Sequence, residues 1–437
     1  MRIGYQFENL ARFVLSFAAW SLLTAAWGFV WFRYYAEIIL QPFYFRGDVL
    51  VIAIYGLLLF FFSKFYGMYK IGHLKRWDVV FSGMLALAFA NAYAYTQTSL
   101  LYGWLAVPWP IVFMSGAQAL LIAAWGVGAS AFFSRAFSPR QLLMVYGGDS
   151  LASSLRQKMT QYREKYSVCE AMDISEGLDK IAASLRGYDG VILCDLPSET
   201  RNDLLKSCFL HGIQTFITPK IPDIMLRGAG EIELFDTPLL HCANGGFTPG
   251  QRFVKRCMDI ALALLGAAVF APLAALSALA VKLYDGGPVL YRQKRLTKNG
   301  REFWLYKFRS MVVDAEKHSG AQLSHDDDSR VTPAGRVMRR FRLDELPQLW
   351  NILKGDMSVV GPRPERPEIA ERYLREMPEF EYRLRVKAGL TGLAQTAGRY
   401  NTTAYDKLRM DLAYITNYSV RQDIKYVFKT VKILLGG

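Results

Sequence analysis

Asp344 and Glu345 stand side by side in the run Asp344-Glu345-Leu346-Pro347-Gln348, just after Arg336, Arg339, Arg340 and Arg342. Two carboxylates in that setting can simply cap a helix start, since an acidic residue ahead of a proline suits a first turn. They can also do chemistry. A carboxylate kept ionised by arginines can attack phosphorus, and neighbouring carboxylates can hold a divalent cation against a diphosphate. Arg363 lies between Pro362 and Pro364, so its backbone is stiff and its guanidinium could clamp a phosphate in bidentate fashion. The plainer alternative is a proline-rich turn with a surface arginine. Arg292, Lys294, Lys307 and Arg309 alternate with aromatic residues, and Arg399 follows the glycine-rich stretch 387–395. Together these residues read as phosphate handlers: Asp344 and Glu345 as catalytic and metal-binding, Lys307, Arg309, Arg342, Arg363 and Arg399 as substrate-binding. A solvated basic face is the plainer reading of the alternating cations.

The elements that must position them start with a hairpin. Asn299-Gly300 separates two alternating apolar and basic runs, which is a tight-turn signal. The alternation predicts aromatics on one face, with Arg292, Lys294, Lys307 and Arg309 near the other. Ahead of the hairpin lies an apolar run, 258–283, with Asp259 near its start and Pro272 in its middle. Proline removes a donor and clashes with the preceding turn, so the helix should bend or break there. A helix that enters one leaflet and returns keeps both flanks on one side of a membrane; the alternative is a fifth ordinary span.

Four further apolar runs, 13–32, 49–63, 79–101 and 109–133, open the chain, each near the ~20 residues a bilayer-crossing helix needs. Basic residues gather before the first run, after the second (Lys64, Lys70, Lys75, Arg76) and after the fourth (Arg135, Arg140). The positive-inside rule therefore predicts cytoplasmic termini. Tyr5 to Leu23 is not followed promptly by the small-residue cleavage site of a signal peptide, and further apolar runs come after it. Residues 140–245 alternate strand-like runs (141–146, 191–195, 213–217) with polar helices, which predicts a parallel, Rossmann-like sheet. Gly147-Gly148 lacks the glycine spacing that brings backbone to a pyrophosphate, so the sheet reads as degenerate, structural or regulatory. The expected fold class is thus a membrane α-helical bundle (1–138), a cytoplasmic α/β domain (139–249) and an α+β catalytic domain (250–437) anchored by a re-entrant helix.

Hydrophobic residues make up 52% of the 437, and the net charge is +14. Residues 250–437 hold 32 Lys and Arg against 20 Asp and Glu, which suits a phosphate-bearing partner. Five scattered cysteines read as unpaired thiols of a reducing compartment, and the five histidines have no zinc-ligand spacing.

Seven ordered segments then point one way. They are Lys255-Arg256 with Asp259, Gly287-Pro288-Val289, Lys307-Phe308-Arg309-Ser310-Met311, Asp344 to Gln348, Lys354 to Ser358, Gly361-Pro362-Arg363-Pro364, and Gly389-Leu390-Thr391-Gly392. Over about 250–437 the chain resembles the monotopic phosphoglycosyl transferases, in their large polyprenyl-phosphate hexose-1-phosphate form. That resemblance implies transfer of hexose-1-phosphate from a UDP-hexose to undecaprenyl phosphate, with release of UMP, as the first step of exopolysaccharide, capsule or O-antigen synthesis. It implies an aspartyl-phosphosugar on Asp344, Glu345 as second member of the dyad, Arg363 on phosphate and Mg²⁺ on the diphosphate. It also implies a bacterial inner-membrane protein with a cytoplasmic catalytic domain, and allows a homodimer. Two departures stand out: Ala271-Pro272 replaces the family's Ser-Pro, and Arg342-Leu343 stands where many relatives have a small polar residue. The competing readings are a non-catalytic scaffold of polysaccharide assembly, which would need a damaged site, and a nucleic-acid binder, for which no recognition motif is present.

Overall fold

The computed structural model describes residues 7–160, 165–234, 236–242, 246–313, 328, 330–398 and 402–435. They divide into two compact units, Met1–Thr218 and Pro219–Gly437.

The first unit opens with four long helices, α1 (Glu8–Val30, continued by a π turn, Trp31–Tyr35), α2 (Arg46–Tyr66), α3 (Arg76–Tyr102) and α4 (Trp109–Ala136). All four are long and apolar enough to cross a membrane. Each extends a little beyond its apolar run, because helix ends accept charged residues such as Glu8, Arg46 and Arg76 that an apolar window excludes. Trp27, Trp31, Tyr35 and Tyr55 are buried between them. A polar knot joins three helices: Tyr55 donates to Asn91 at 2.7 Å, and Asn91 donates to Gln118 at 2.9 Å. A satisfied knot of this kind fixes which helix faces meet where hydrophobicity alone does not discriminate.

An α/β segment follows: β1 (Arg140–Tyr146), α5 (Asp149–Met159), β2 (Tyr166–Asp173), α6 (Leu178–Ser184), β3 (Gly190–Cys194), α7 (Ser198–Leu210) and β4 (Gln214–Ile217). The four strands form a parallel sheet in the order β2-β1-β3-β4. Parallel strands covered on both faces read as continuous apolar runs, which is how β1 and β3 show in the sequence. β2 is an edge strand with mixed burial and gives no such run.

The second unit starts with α8 (Ile221–Arg227) and an exposed hairpin, β5 (Gly230–Leu234) with β6 (Thr237–His241). Ile221 and Ile224 are buried in the same core as Ile352, Val360 and Leu412, so α8 packs with residues far beyond 250. α9 (Pro249–Asp285) begins at a capping box of Thr248 and Gln251, and runs for 37 residues through Pro272 without interruption of the helix. The expected break is absent from the hydrogen-bonded pattern. Proline costs one backbone bond, and Ser277, which donates to Leu273 O at 2.8 Å, is among the side chains that engage the helix's own carbonyls beyond it.

Beyond α9 come β7 (Leu290–Leu296) and β8 (Glu302–Phe308), the expected antiparallel hairpin, turning at Asn299 and Gly300 with φ of 58° and 72°. Then follow α10 (Pro333–Arg340), a 3-10 turn (Leu343–Glu345), α11 (Gln348–Lys354) and β9 (Met357–Val360). The chain closes with α12 (Pro367–Glu376), β10 (Ala388–Thr391), α13 (Leu393–Ala397), α14 (Ala404–Thr416) and α15 (Val420–Leu434). β9 and β10 pair in parallel.

α9 is tied into this unit along its length. Lys255 forms a buried ion pair with Asp423 of α15 at 2.7 Å. Arg256 donates to the carbonyls of Ile352 and Leu353 at the end of α11, where unpaired carbonyls favour a cation. Asp259 accepts from Ser358 Oγ and Val359 N. Beyond Pro272, Val281 is buried with Phe308 and Met338, and Ala274, Ala278, Leu343 and Leu346 pack on the same cluster.

Candidate active site

The acidic pair does not start a long helix. Asp344 and Glu345 lie in the 3-10 turn, and Pro347 is the N-cap of the short α11. Arg342, just ahead, has φ 52° and ψ 25°, left-handed values that cost a side-chain-bearing residue roughly 1 kcal/mol. Both carboxylates are buried, Asp344 6% and Glu345 9% exposed.

Their environments differ. Glu345 Oε1 is 3.3 Å from Lys307 Nζ and 3.5 Å from Arg363 Nη2. Burial alone would raise its pKa, but Lys307, Arg363 and Arg342 overcome it and bring the group down to about 2. Asp344 makes no ion pair with any described residue. Burial is the largest influence on it and pushes its carboxyl up; Lys307 opposes that and Glu345 adds to it. One carboxylate is therefore held as an anion by its cationic partners. The other is less comfortable as an anion and has no ion-pair partner among the described residues.

Local folding brings Lys307 there. Asn351 of α11 is wholly buried; its amide accepts from Tyr306 N at 3.1 Å and donates to Trp304 O at 2.7 Å. It thereby acts as a short neighbouring strand for β8, holding that strand against the helix that follows the acidic turn. The hairpin register also corrects the expected partition of faces. Arg292 lies opposite Tyr306 and Lys294 opposite Trp304, and both cations sit over the Trp304 ring at 5.0 and 5.9 Å. Strand parity puts Lys307 on the other face, with buried Phe303 and Leu305. The cations are thus divided between faces, and so are the aromatics.

Arg363 is held by its backbone. Arg383 donates to Arg363 O at 2.9 Å and is itself fixed by Asp411 at 2.8 Å. Arg295 donates to Pro364 O at 3.1 Å. Gly361 and Gly389 explain why two separate glycine motifs occur: a Cβ on Gly389 would stand 2.1 Å from Gly361 N. The two backbones touch there, with Gly389 N donating to Pro362 O and Gly361 N to Thr391 O, each at 2.8 Å. The Arg363 loop is consequently locked from three directions.

The other expected binders are placed differently. Arg309 is bound to Asp285 at the end of α9, with one contact at 2.9 Å, and closes over Gly287. Arg339, which in the sequence is one of several arginines in a basic run, donates to Ser310 Oγ at 2.9 Å and acts electrostatically on Asp344. Arg399 lies outside the described residues. Arg295, Asn351, Arg383 and Asp411 escape sequence reading, because a buried polar residue announces its partner only once the chain is folded.

The donor set suits a divalent cation of the magnesium type. Asp344 has no ion pair among the described residues and the ion pairs of Glu345 fall on Oε1, and such an ion commonly takes one or two carboxylates with the rest of its shell from substrate phosphates and water. Among the described residues no group of three or more His, Cys, Asp or Glu side chains gathers to hold a metal, so phosphate oxygens would be needed to complete the shell.

Residues 250–437 match the family profile of the bacterial sugar transferases. Among similar proteins, a UDP-glucose:undecaprenyl-phosphate glucose-1-phosphate transferase from Caulobacter vibrioides is 43% identical over 206 residues, 46% of this chain and 77% of that protein. The chain belongs to the bacterial sugar transferase family. A UDP-N-acetylgalactosamine-undecaprenyl-phosphate N-acetylgalactosaminephosphotransferase from Aeromonas hydrophila is 44% identical over 193 residues, 44% of this chain. A UDP-glucose:undecaprenyl-phosphate glucose-1-phosphate transferase from Escherichia coli is 40% identical over 211 residues, 47% of this chain. The match spans under half of these two relatives, 45% and 44% of their lengths. In this bacterial sugar transferase the acidic pair, Lys307 and Arg363 all lie inside the matched segment.

Proposed function

We propose that the chain transfers a sugar-1-phosphate from a UDP-sugar to undecaprenyl phosphate, releasing UMP, as the initiating step of a surface polysaccharide. The observation that carries this reading is the split between the two carboxylates, with Glu345 neutralised by Lys307 and Arg363 and Asp344 left unpaired beside them.

Asp344 Oδ attacks the β-phosphorus of the donor. The bond from that phosphorus to the bridging oxygen breaks, UMP leaves with the electron pair, and the sugar-phosphate remains as an acyl phosphate on Asp344. An oxygen of undecaprenyl phosphate then attacks the same phosphorus and the carboxylate departs, giving the diphosphate-linked sugar. Arg363 and Lys307 face the charge that builds on the phosphoryl oxygens, held in place before substrate arrives. A magnesium ion held by Asp344 and Glu345 would supply charge neutralisation to the diphosphate. The relatives' names include glucose, galactose and N-acetylgalactosamine, so the donor is a UDP-sugar of this class rather than one named hexose.

We infer a location in the bacterial inner membrane, with the catalytic unit on the cytoplasmic face where nucleotide sugars are found. The four N-terminal helices support spans, and the loop charges support that orientation. α9 supports a re-entrant insertion: it is apolar enough to span and 11% of its most apolar stretch is buried, yet residues on both sides of Pro272 pack on one unit. The test is UMP release from UDP-glucose, UDP-galactose and UDP-N-acetylgalactosamine, with and without undecaprenyl phosphate. Release from none of them, by a folded protein in lipid, overturns the proposal.

A further inference from the structure

Within the first unit, the beginning of α1, the segment after α2, the end of α4 and the entry to β1 surround a small open cleft. Its lining includes Glu8, Ser130, Ser134, Arg140 and Lys165. Glu8 is fully engaged: Oε1 binds Arg12, and Oε2 lies 3.3 Å from Arg140. Arg12 is fixed further by Ile71 O at 3.2 Å and Asn9 at 3.1 Å. One carboxylate thus answers two guanidiniums before Lys165 is counted.

Two groups in this cleft are left wanting. The Lys165 ammonium has no hydrogen bond or ion pair with any described residue; its contact is the Tyr166 ring, 5.0 Å away. Burial, with Arg12 and Arg140 adding to it and Glu8 opposing, pushes its pKa below the usual lysine value. Ser130, in α4, is 9% exposed, and its hydroxyl has no hydrogen-bond partner among the described residues. A buried hydroxyl without a partner carries an energetic cost that a ligand can relieve. An unpaired ammonium, a guanidinium and a free hydroxyl donor form a set that takes oxygen from an anion, while the one carboxylate is already satisfied.

We propose that this cleft binds a phosphate group. It is a site separate from the acidic turn, since every residue in it belongs to residues 1–218. Phosphate offers several acceptor oxygens in tetrahedral array, enough for Lys165 Nζ and Ser130 Oγ together, with the Arg140 guanidinium, itself held by Glu8 and Gln214, adding positive charge beside them. Two sources carry that chemistry. One is the headgroup of an anionic phospholipid, which the membrane-type helix ends and basic loop around this cleft would meet. The other is a soluble phosphate ester or diphosphate.

The experiment uses the full chain in nanodiscs and in detergent, with thermal unfolding and native mass spectrometry as readouts. The probes are phosphatidylglycerol against phosphatidylcholine in the first case and inorganic phosphate and pyrophosphate in the second. Wild type is compared with Lys165→Gln, Lys165→Arg and Ser130→Ala. Apparent affinity for one probe class should fall about tenfold in Lys165→Gln, the loss of one charge-assisted contact, fall less in Ser130→Ala, and stay within about threefold in Lys165→Arg. An effect confined to phosphatidylglycerol assigns the site to lipid, and one shared by pyrophosphate assigns it to a soluble ester. If no probe stabilises the wild type, or if Lys165→Gln and Ser130→Ala both respond as the wild type does, the phosphate site does not exist.

Discussion

Lys307 and Glu345 are 38 residues apart in the chain and 3.3 Å apart in the fold. That contact, made possible by Asn351 holding β8 to α11, decides which of two adjacent carboxylates is neutralised. It gives Asp344 and Glu345 different chemistries although the sequence offers them as equals.

Asp344→Asn should abolish turnover while leaving folding and membrane insertion intact, because the amide keeps the shape and loses the nucleophile. Loss of a covalent step costs several powers of ten. A folded variant retaining more than about a tenth of the wild-type rate of UMP release removes Asp344 from the nucleophile role.

The pH profile should carry the signature of the buried pair. In the proposed mechanism Asp344 attacks as an anion, and burial raises its pKa above the usual 3.8, so kcat/KM should rise with pH along an acid limb lying above that value. Lys307 holds the pKa down, so Lys307→Gln should move the limb to higher pH. Glu345, at about 2 against an ordinary 4.5, contributes stability that is present above about 4.5 and lost as pH falls towards 2. Acid unfolding of Glu345→Gln should lack that slope, and an unchanged slope contradicts the pairing.

Arg342 offers a test of the turn itself. Both Arg342→Gly and Arg342→Ala remove the charge beside Glu345, and both should weaken use of the donor. Glycine accepts φ 52° without strain and alanine does not, so the glycine variant should be more stable than the alanine variant by about 1 kcal/mol in chemical unfolding. Equal stabilities would mean the left-handed turn is relaxed away.

The membrane-type helices were legible because length and apolarity suffice to mark them; their true ends lay a few residues out, where Arg46 and Arg76 sit. β1 and β3 announced themselves as continuous apolar runs, whereas β2, with Glu170 and Cys169 exposed at the sheet edge, did not. At the site, residue types located Asp344, Glu345, Lys307 and Arg363. Their pairing was hidden, as were Arg383 and Asp411 behind the Arg363 loop, because those contacts join segments that only folding brings together. Arg309 shows the opposite case: its position in a basic run suggested substrate, and Asp285 claims it.

The limits of the catalytic unit lead to a truncation experiment. Ile221 and Ile224 are buried in its core, Phe247 stacks on Tyr418 at 4.2 Å, and Lys255 lies over the Phe247 ring at 5.9 Å. A chain starting at Pro219 should therefore fold and retain transferase activity in lipid. One starting at Gly250 should keep the same chemistry at lower thermal stability. Equal melting temperatures for the two would show that α8 adds nothing.

Pro272→Ala restores a backbone donor and removes a helix-interior penalty of ~3 kcal/mol, which should favour a spanning insertion over the proposed re-entrant one. Activity should fall, with a fraction of molecules carrying an inverted catalytic unit. A cysteine placed at Asn299, at the tip of the β7–β8 turn, reports this through labelling from the periplasm of intact cells. Labelling of the wild-type background at that site contradicts both the re-entrant helix and the cytoplasmic reaction.

The cluster that joins Val281 of α9 to Leu343 and Leu346 has a kinetic meaning. Those two leucines flank Asp344-Glu345 directly, so with α9 inserted as proposed the acidic turn is carried at a fixed height near the headgroups. One substrate then arrives by diffusion through bulk water and the other by lateral diffusion in a plane. The second half-reaction should obey surface-dilution kinetics: its rate follows the mole fraction of lipid acceptor in the bilayer and falls when inert lipid is added at constant total acceptor concentration.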